Sequence, residues 1–196
     1  MTIQYMNSEK LYFGFLAGAR EVIKQKHDLN KINVFPVADG DTGTNLAFTM
    51  NAIIEEAKVQ SSAKRTMETI ADAALVGARG NSGIIFAQFI NGLYMGLEDK
   101  EEISIKGFSH SVTSAVSYAH KAISNPVEGT MITVMRDWAN SLDTLKDKAT
   151  DFTEVFTKSM IIAMQSLKDT PNKLKILKDA SVVDSGAKGF IHFLEG

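Results

Sequence analysis

Apolar side chains recur at helical spacing along almost the whole chain, and this periodicity limits the folds it can adopt. The segments that show it are 11–29, 46–57, 70–74, 85–93, 105–123, 132–145 and 152–167. Spacings of three and four residues place such side chains on one face of an α-helix. Extended chain is indicated only at 33–37 and 181–183. The sequence therefore predicts an all-α fold of roughly seven to nine helices, with Pro36, Pro126 and Pro171 between helices.

Composition and charge exclude several classes of protein. The chain has 196 residues, of which 44% are hydrophobic and 22% charged, and its net charge is -2. It can bury one sizeable core, but it lacks the clustered basic excess of a nucleic-acid-binding surface. It contains no cysteine, so disulfides and thiolate metal sites are excluded. No apolar run approaches the ~20 residues of a transmembrane helix and no signal peptide begins the chain, so we expect a cytoplasmic protein.

Four connections between the helical segments are rich in Gly, Asp, Ser, Thr and Asn. They are ADGDTGTN (38–45), ARGNSG (78–83), PVEGTM (126–131) and VVDSGAKG (182–189). Each precedes a helical pattern, and the start of a helix has unpaired amides and a partial positive charge. Taken alone, each connection can be an ordinary turn and helix cap, and 126–131 is best explained in that way. Several of them converging would form an anion site, where glycines allow a phosphate to approach closely.

The first connection carries two carboxylates, Asp39 and Asp41, one residue apart. Like charges at this spacing repel each other unless a metal or a cationic group neutralises them. An EF-hand calcium loop that starts at Asp39 would need an acidic residue at its twelfth position, where this chain has Met50. Magnesium fits better, because it commonly uses one or two carboxylates, several waters and phosphate oxygens.

Other nucleotide-binding and catalytic motifs are missing from the sequence. It has no GxxxxGK[ST] motif, no GxGxxG after a strand and no protein-kinase motif set. The histidines have no metal-ligand spacing, and neither Ser82 nor Ser185 lies in a GxSxG elbow. These absences leave magnesium and phosphate binding at the glycine-rich connections as the chemistry that the sequence favours.

The motifs NVFPVADGDTGTN, GARGNSG, GTM and VVDSGAKGF, in this order, resemble the nucleotide-binding L-domain family of dihydroxyacetone kinases. The resemblance covers essentially the whole chain and is strongest to the branch at the N-terminus of the bacterial fatty acid kinase large subunit. It implies a closed barrel of about eight antiparallel helices, with ATP or ADP at one end and one or two Mg²⁺ ions at the phosphates. It further implies a single nucleotide-binding domain over residues 1–196, excised from a longer chain with further C-terminal domains.

The same resemblance assigns site residues by position. Asp39 and Asp41 match the family's closely spaced metal aspartates, and Asn33 is the expected substitute for a third aspartate, whose position is Val34 here. The residues expected at the nucleotide are Thr42, Gly43, Thr44, Asn45, Asn81, Ser82, Gly83, Thr130, Met131, Asp184, Ser185 and Gly186. Of these, Thr130 and Met131 are expected near the adenine, and the others at the phosphates or beside the nucleotide. No catalytic base is assigned.

The implied function is transfer of the γ-phosphoryl group of ATP to a fatty acid carboxylate presented by a separate acyl-binding protein. A carboxylate is ionised near neutral pH, so this acceptor needs no general base. One alternative is the nucleotide-binding subunit of a dihydroxyacetone-type kinase, or a subunit that holds ADP as a phosphate relay. Another is a non-catalytic helical interaction module with a vestigial metal loop. The isolated domain is expected to bind nucleotide without turnover.

Overall fold

The computed structural model describes residues 2–196, and most of them are helical. In chain order the elements are β1 (Tyr5–Asn7), α1 (Ser8–Lys24), α2 (Lys26–Lys31), α3 (Thr42–Glu56), α4 (Ala63–Gly77), α5 (Gly80–Gly96), β2 (Glu102–Ser104), α6 (Ile105–Lys121), α7 (Met131–Leu145), α8 (Phe152–Lys173), α9 (Lys175–Asp179) and α10 (Ser185–Glu195). The predicted all-α class is confirmed. Within the described residues there are ten helices, of which α2 and α9 are short connectors of 6 and 5 residues.

The two strands lie where the sequence did not indicate extended chain. β1 and β2 pair antiparallel, with Met6 opposite Ile103, and these two side chains are the buried ones. Three-residue strands are too short to show an alternating pattern, so sequence periodicity cannot reveal them. The segments expected to be extended, 33–37 and 181–183, form no strand in the described chain, and Ser181 has a φ of 57°.

The prediction that Pro171 lies between helices was wrong, because it lies inside the last turn of α8. Proline has no amide hydrogen, so the carbonyl four residues before it, that of Leu167, loses its helical donor. The hydroxyl of Thr170 donates to this carbonyl instead, at 2.8 Å. A neighbouring side chain thus replaces the missing bond and lets the helix continue through the proline.

The long helices pack in a ring. Each helix from α3 to α7 packs against the next, and α10 closes the ring by packing against α7 on one side and α1 and α3 on the other. α8 packs against α7 and α10. The connection between α4 and α5 is only two residues long, and Tyr94 near the end of α5 donates to Glu68 near the start of α4 at 3.0 Å. These two neighbours are therefore antiparallel, as short connections in helical bundles favour.

An aromatic cluster around Phe190 of α10 fills the centre of the ring. Phe190 is fully buried, and its ring lies 5.3 Å from that of Phe89 and 5.6 Å from that of Trp138, both edge-on. The indole N–H of Trp138 donates to the hydroxyl of Ser159 at 3.0 Å, so its polar atom is satisfied. No helix within residues 2–196 has both the length and the apolar character needed to cross a bilayer.

α5 and α6 pack closely because two glycines of α5 face small residues of α6. A Cβ atom at Gly92 would lie 2.6 Å from the Cα of Ala115, and one at Gly96 would lie 2.7 Å from the Cα of Ser111. Both neighbours are main-chain atoms, which cannot move without separating the helices. The close approach of these two helices therefore requires glycine at both positions.

We expect Gly92→Ala to destabilise the protein by about 1–3 kcal/mol, because the added methyl overpacks the α5–α6 contact. Gly14→Ala is the matched control, since Gly14 lies inside α1 and a Cβ there meets nothing within 4 Å. The control should stabilise the protein by up to about 1 kcal/mol through helix propensity. Urea unfolding followed by circular dichroism measures both changes. Equal effects of the two substitutions would contradict the packing interpretation.

Candidate functional site: a cavity where four helices begin

The four glycine-rich connections converge on one cavity of about 530 Å³. They lead into α3, α5, α7 and α10, and each contributes residues to the wall. The residues named from sequence that line the cavity are Asn33, Asp39, Asp41, Thr42, Asn45, Asn81, Ser82, Thr130, Met131, Asp184 and Gly186. The starts of four helices that are distant in sequence are therefore adjacent in space. One of them is the start of α7, although sequence alone explained the preceding connection, 126–131, as an ordinary turn.

Four residues named from sequence do not line the cavity: Gly43, Thr44, Gly83 and Ser185. The side chain and amide of Thr44 are both hydrogen-bonded to Asn30, at 2.9 and 3.1 Å. Ser185 donates to the main-chain oxygen of Leu29 at 2.6 Å. Gly43 and Gly83 are buried where their helices pack, against α2 and α3 respectively. These four residues therefore hold the helix starts against neighbouring segments, Thr44 and Ser185 by hydrogen bonds and the two glycines by close packing.

Sequence reasoning missed other residues of the wall: Phe35, Pro36, Val37, Gly80, Ile85, Ile123, Ser124, Asn125 and Val127. Ile123, Ser124 and Asn125 lie just after α6, outside the motifs, whereas Phe35, Pro36, Val37 and Val127 stand within them but are apolar. Gly80 could have been found, because it stands within ARGNSG. Its φ is 59°, and a Cβ there would lie 2.2 Å from the side-chain nitrogen Nδ2 of Asn45. Only glycine combines that conformation with that contact.

The side chain of Asn33 holds the acidic loop in place. Its oxygen accepts from the amides of Asp41 and Thr42 at 3.1 and 3.0 Å, and its nitrogen donates to the carbonyl of Val37 at 3.0 Å. An amide oxygen has two lone pairs, and both are used here. Asn33 is therefore not available as a metal ligand in this arrangement, although it was expected to be one. It positions the two aspartates instead.

Asp39 and Asp41 are exposed at the cavity, and their carboxylates have no hydrogen bond or ion pair with any residue from 2 to 196. Two free carboxylates facing an open cavity are suitable ligands for a hard cation that completes its shell with water and phosphate oxygens. The described chain has no group of three His, Cys, Asp or Glu residues that could enclose a metal. The donor set therefore fits Mg²⁺ held jointly by the protein and a phosphate ligand.

α5 begins without a side-chain cap, as α3 and α7 also do. α1, α4, α6, α8 and α10 each begin with a side chain that accepts a hydrogen bond from a first-turn amide. At the start of α3, the amide of Thr42 donates to Asn33 and the amide of Thr44 donates to Asn30. Within residues 2–196, the amides of Gly80, Asn81 and Ser82 at the start of α5 have no acceptor. These three residues line the cavity, so their amides are available to an anion.

The connection before α7 is held by an ion pair. Arg136 binds Glu128 through two nitrogens, one at 2.9 Å, and Thr133 donates to the same carboxylate at 3.1 Å. The hydrogen bond from Arg136 lowers the pKa of Glu128 to about 2. The pair fixes the loop beside Val127 and Thr130, which line the cavity.

Asp184 caps α10 from a buried position and links three helices. Its carboxylate accepts from the amide of Ala187 at 2.8 Å and is also hydrogen-bonded by the amide of Met131, while its own amide donates to Thr170 at 3.1 Å. It is only 5% exposed, and this burial raises its pKa to about 6 despite the two amide donors. Asp184 thus carries a destabilised negative charge in the cavity wall near neutral pH.

The chain is similar to several known proteins. A family model described as "DAK2 domain" matches residues 36–196. The chain belongs to the DAK2 domain family. Protein YloV of Bacillus subtilis (strain 168) is 36% identical over 198 residues, which cover 100% of this chain and 36% of YloV. An uncharacterised protein of Staphylococcus epidermidis (strain ATCC 12228 / FDA PCI 1200) is 37% identical over 183 residues, which cover 92% of this chain and 33% of that protein. This DAK2 domain thus spans about a third of the length of both relatives.

Solved structures of a dihydroxyacetone kinase share the fold of this DAK2 domain. The native form of the C. freundii enzyme matches with a TM-score of 0.69 at 15% identity, over 100% of this chain and 35% of the enzyme. The same enzyme in complex with AMP-PNP and Mg²⁺ matches with a TM-score of 0.69 at 15% identity, over 98% of this chain and 34% of the enzyme. At this identity the likeness establishes the helical fold.

The buried charge of Asp184 predicts a pH dependence of stability. Its pKa of about 6 in the folded protein exceeds the ordinary value of 3.8, so the folded state binds the proton more tightly. The contribution of Asp184 to the free energy of unfolding therefore falls as pH rises from about 4 to 6.

Asp184→Asn keeps a capping side chain but does not titrate. We expect its stability relative to wild type to increase between pH 4 and pH 7 by up to about 3 kcal/mol. Urea unfolding at both pH values tests this, and a difference independent of pH would contradict it.

Proposed function

We propose that this DAK2 domain is the ATP- and Mg²⁺-binding domain of a fatty acid kinase. In this function the γ-phosphoryl group of ATP is transferred to a fatty acid carboxylate that a separate acyl-binding protein presents. The observation that carries the proposal is the convergence of four helix starts on one cavity whose only charged side chains are Asp39, Asp41 and Asp184. An enzyme that uses ATP in this way would act in the cytoplasm.

The charge of the cavity favours a nucleotide bound together with a metal. The wall contains three aspartates and no lysine, arginine or histidine. A polyphosphate alone would be repelled by these carboxylates, and a cation alone would leave the free amides of α5 unused. Mg²⁺ held by Asp39 and Asp41 supplies the positive charge that a transferring phosphoryl group requires. The amides of Gly80, Asn81 and Ser82 would bind and orient the phosphate oxygens.

The part of the wall formed by the end of α6 and the start of α7 suits a nucleobase. Ile123, Val127 and Met131 give this part an apolar surface, and Ser124, Asn125 and Thr130 add polar atoms. Apolar lining with a few polar groups is typical of small-molecule sites. The ion pair between Glu128 and Arg136 would keep this part of the wall in place before the nucleotide enters.

Two observations favour a carboxylate acceptor. No histidine or lysine lines the cavity, and the carboxylate of Asp184 already accepts main-chain amides. An ionised fatty acid needs no base to remove a proton, whereas a sugar hydroxyl does. The chain is also 36% identical to YloV but 15% identical to the dihydroxyacetone kinase. The shared fold therefore does not imply that this domain uses the same phosphoryl acceptor as that enzyme.

The second candidate is the nucleotide-binding part of a dihydroxyacetone-type kinase, or a subunit that holds ADP as a phosphate relay. It is favoured by the match to the C. freundii enzyme along the whole chain, with a TM-score of 0.69. The same cavity would serve both candidates, so the acceptor alone distinguishes them.

Asp41→Asn should greatly weaken Mg²⁺-dependent binding of ATP, because it removes one of the two carboxylates proposed to hold the metal. The helical content should stay at the wild-type level, since no side-chain hydrogen bond of Asp41 is lost. Asp179→Asn is the matched control, because Asp179 is exposed at the end of α9 and lies outside the cavity. Calorimetric titration with Mg·ATP measures both affinities. Wild-type affinity in the Asp41 variant would refute the metal assignment.

The isolated DAK2 domain should bind Mg·ATP and Mg·ADP, be stabilised by either on heating, and transfer no phosphate to free oleate. Transfer should require the acyl-loaded partner and the longer protein, because positioning the carboxylate in line with the γ-phosphate supplies much of the rate. The assay follows labelled phosphate from ATP with the domain, the longer protein and the partner in every combination. Turnover by the domain with free oleate would refute this division of labour. Turnover with dihydroxyacetone on a carrier subunit would favour the second candidate.

A further inference from the structure

Exposed apolar side chains gather where the middle of α3, the end of α4 and the start of α5 meet. Val76 is 73% exposed, Phe48 55% and Ile84 43%, and Leu75 is also exposed. A Cβ at Gly77 would contact the main chain of Phe48 and Thr49, and one at Gly83 would contact Thr49 and Asn45. The three helices therefore touch at this point. We name the surface formed by Phe48, Leu75, Val76, Arg79 and Ile84 the α3–α5 corner.

The α3–α5 corner adjoins the phosphate side of the cavity. Phe48 lies three residues after Asn45 on α3, and Ile84 lies three residues after Asn81 on α5. Residues three apart share a helix face, and both asparagines line the cavity. The apolar surface therefore begins one helical turn from the wall that carries Asp39, Asp41 and the free amides of α5.

Arg79 gives the α3–α5 corner a positive charge without a partner. Its guanidinium donates to the carbonyls of Val76 and Ala78 at the end of α4, at 3.1 and 2.7 Å. No carboxylate within residues 2–196 pairs with it, and its side chain is exposed. Guanidinium groups bind carboxylates strongly when an interface removes water. The corner is thus complementary to an apolar surface that carries an acidic side chain.

We propose that the α3–α5 corner is the docking surface for the protein that carries the phosphoryl acceptor, and that an acidic side chain of this partner pairs with Arg79. This inference rests on the proposed function, because it presumes an acceptor delivered by another protein. It assigns to that partner a surface with apolar side chains around one carboxylate.

In-line transfer restricts where such a partner can bind. The acceptor oxygen must come within roughly 3–3.5 Å of the phosphorus, and the free amides of α5 place the phosphates at the corner's edge of the cavity. Other exposed apolar residues, such as Ile161 and Met164, lie on α8, which packs against α7 and α10. Neither Ile161 nor Met164 lines the cavity.

The test uses two pairs of variants in the longer protein, each with a matched control. Val76→Glu places a charge in the apolar surface and is paired with Ile161→Glu, since Ile161 is 63% exposed. Arg79→Ala removes the positive charge and is paired with Lys168→Ala, an exposed lysine of α8 without an ion pair. The substrates are Mg·ATP at saturation and the acyl-binding protein loaded with oleate. The readouts are KM and kcat for the loaded protein and the affinity for Mg·ATP.

We expect Val76→Glu and Arg79→Ala each to raise KM for the loaded partner about tenfold or more, with kcat and the Mg·ATP affinity within about twofold of wild type. The controls should behave like wild type. High salt should weaken the wild type more than the Arg79 variant. Unchanged KM in both corner variants, with normal transfer, would overturn the docking surface and leave the kinase function intact.

Two other outcomes would also overturn the docking surface. If Arg79→Ala weakens Mg·ATP and leaves KM for the partner unchanged, Arg79 serves the phosphates. If the wild type self-associates in sedimentation velocity and Val76→Glu makes it monomeric, the corner joins two copies of this chain. By contrast, corner-dependent binding of the loaded partner without any transfer to oleate would support the docking surface and refute the fatty acid kinase.

Discussion

The acidic loop keeps its position because one buried amide side chain bonds it to the start of α3. Asn33 uses both lone pairs of its oxygen on the amides of Asp41 and Thr42, and its nitrogen bonds the carbonyl of Val37. Two free carboxylates in one loop tend to move apart, since no cationic group within residues 2–196 pairs with them. The hydrogen bonds of Asn33 to main-chain atoms hold the loop in place instead. The aspartates can therefore stay exposed and near each other, and the oxygen of Asn33 is used for architecture rather than for binding a metal.

The long helices and the place of the site could be predicted from sequence, because both depend on local pattern. Helical periodicity reports which face of each segment is buried, and glycine-rich connections mark helix starts. Tertiary contacts determine the features that local pattern does not predict, such as where α8 ends and which side chains face the cavity. The hydroxyl of Thr170 lets α8 continue through Pro171, and Asn30 takes the side chain and amide of Thr44 away from the cavity. Ile123 and Val127 were missed as wall residues because an apolar side chain in a helical stripe or in a turn has no local signature of ligand contact.

The site is built from features that reduce stability, and the rest of the chain compensates for them. Asp184 holds a charge where burial disfavours it, α5 begins without a side-chain cap, and Asp39 and Asp41 have no ion pair within residues 2–196. Away from the cavity, α1, α4, α6 and α8 are all capped by side chains, and the aromatic cluster around Phe190 fills the centre. Groups left unsatisfied at one place in an otherwise consistent fold are typical of ligand sites. A ligand that neutralises the carboxylates and accepts from α5 would recover part of this lost stability.

The two parts of the cavity wall differ in a way that would give a bound nucleotide one orientation. The α3 and α5 side offers carboxylates and unpaired amides, and the side at the end of α6 and start of α7 offers Ile123, Val127 and Met131. Phosphates with Mg²⁺ match the first side, and a base matches the second. The terminal phosphate is then directed toward the edge of the cavity that the α3–α5 corner adjoins. With this orientation an acceptor would not need to enter the cavity from the base side, because the reacting end of the nucleotide would lie at the edge where an apolar, positively charged surface begins.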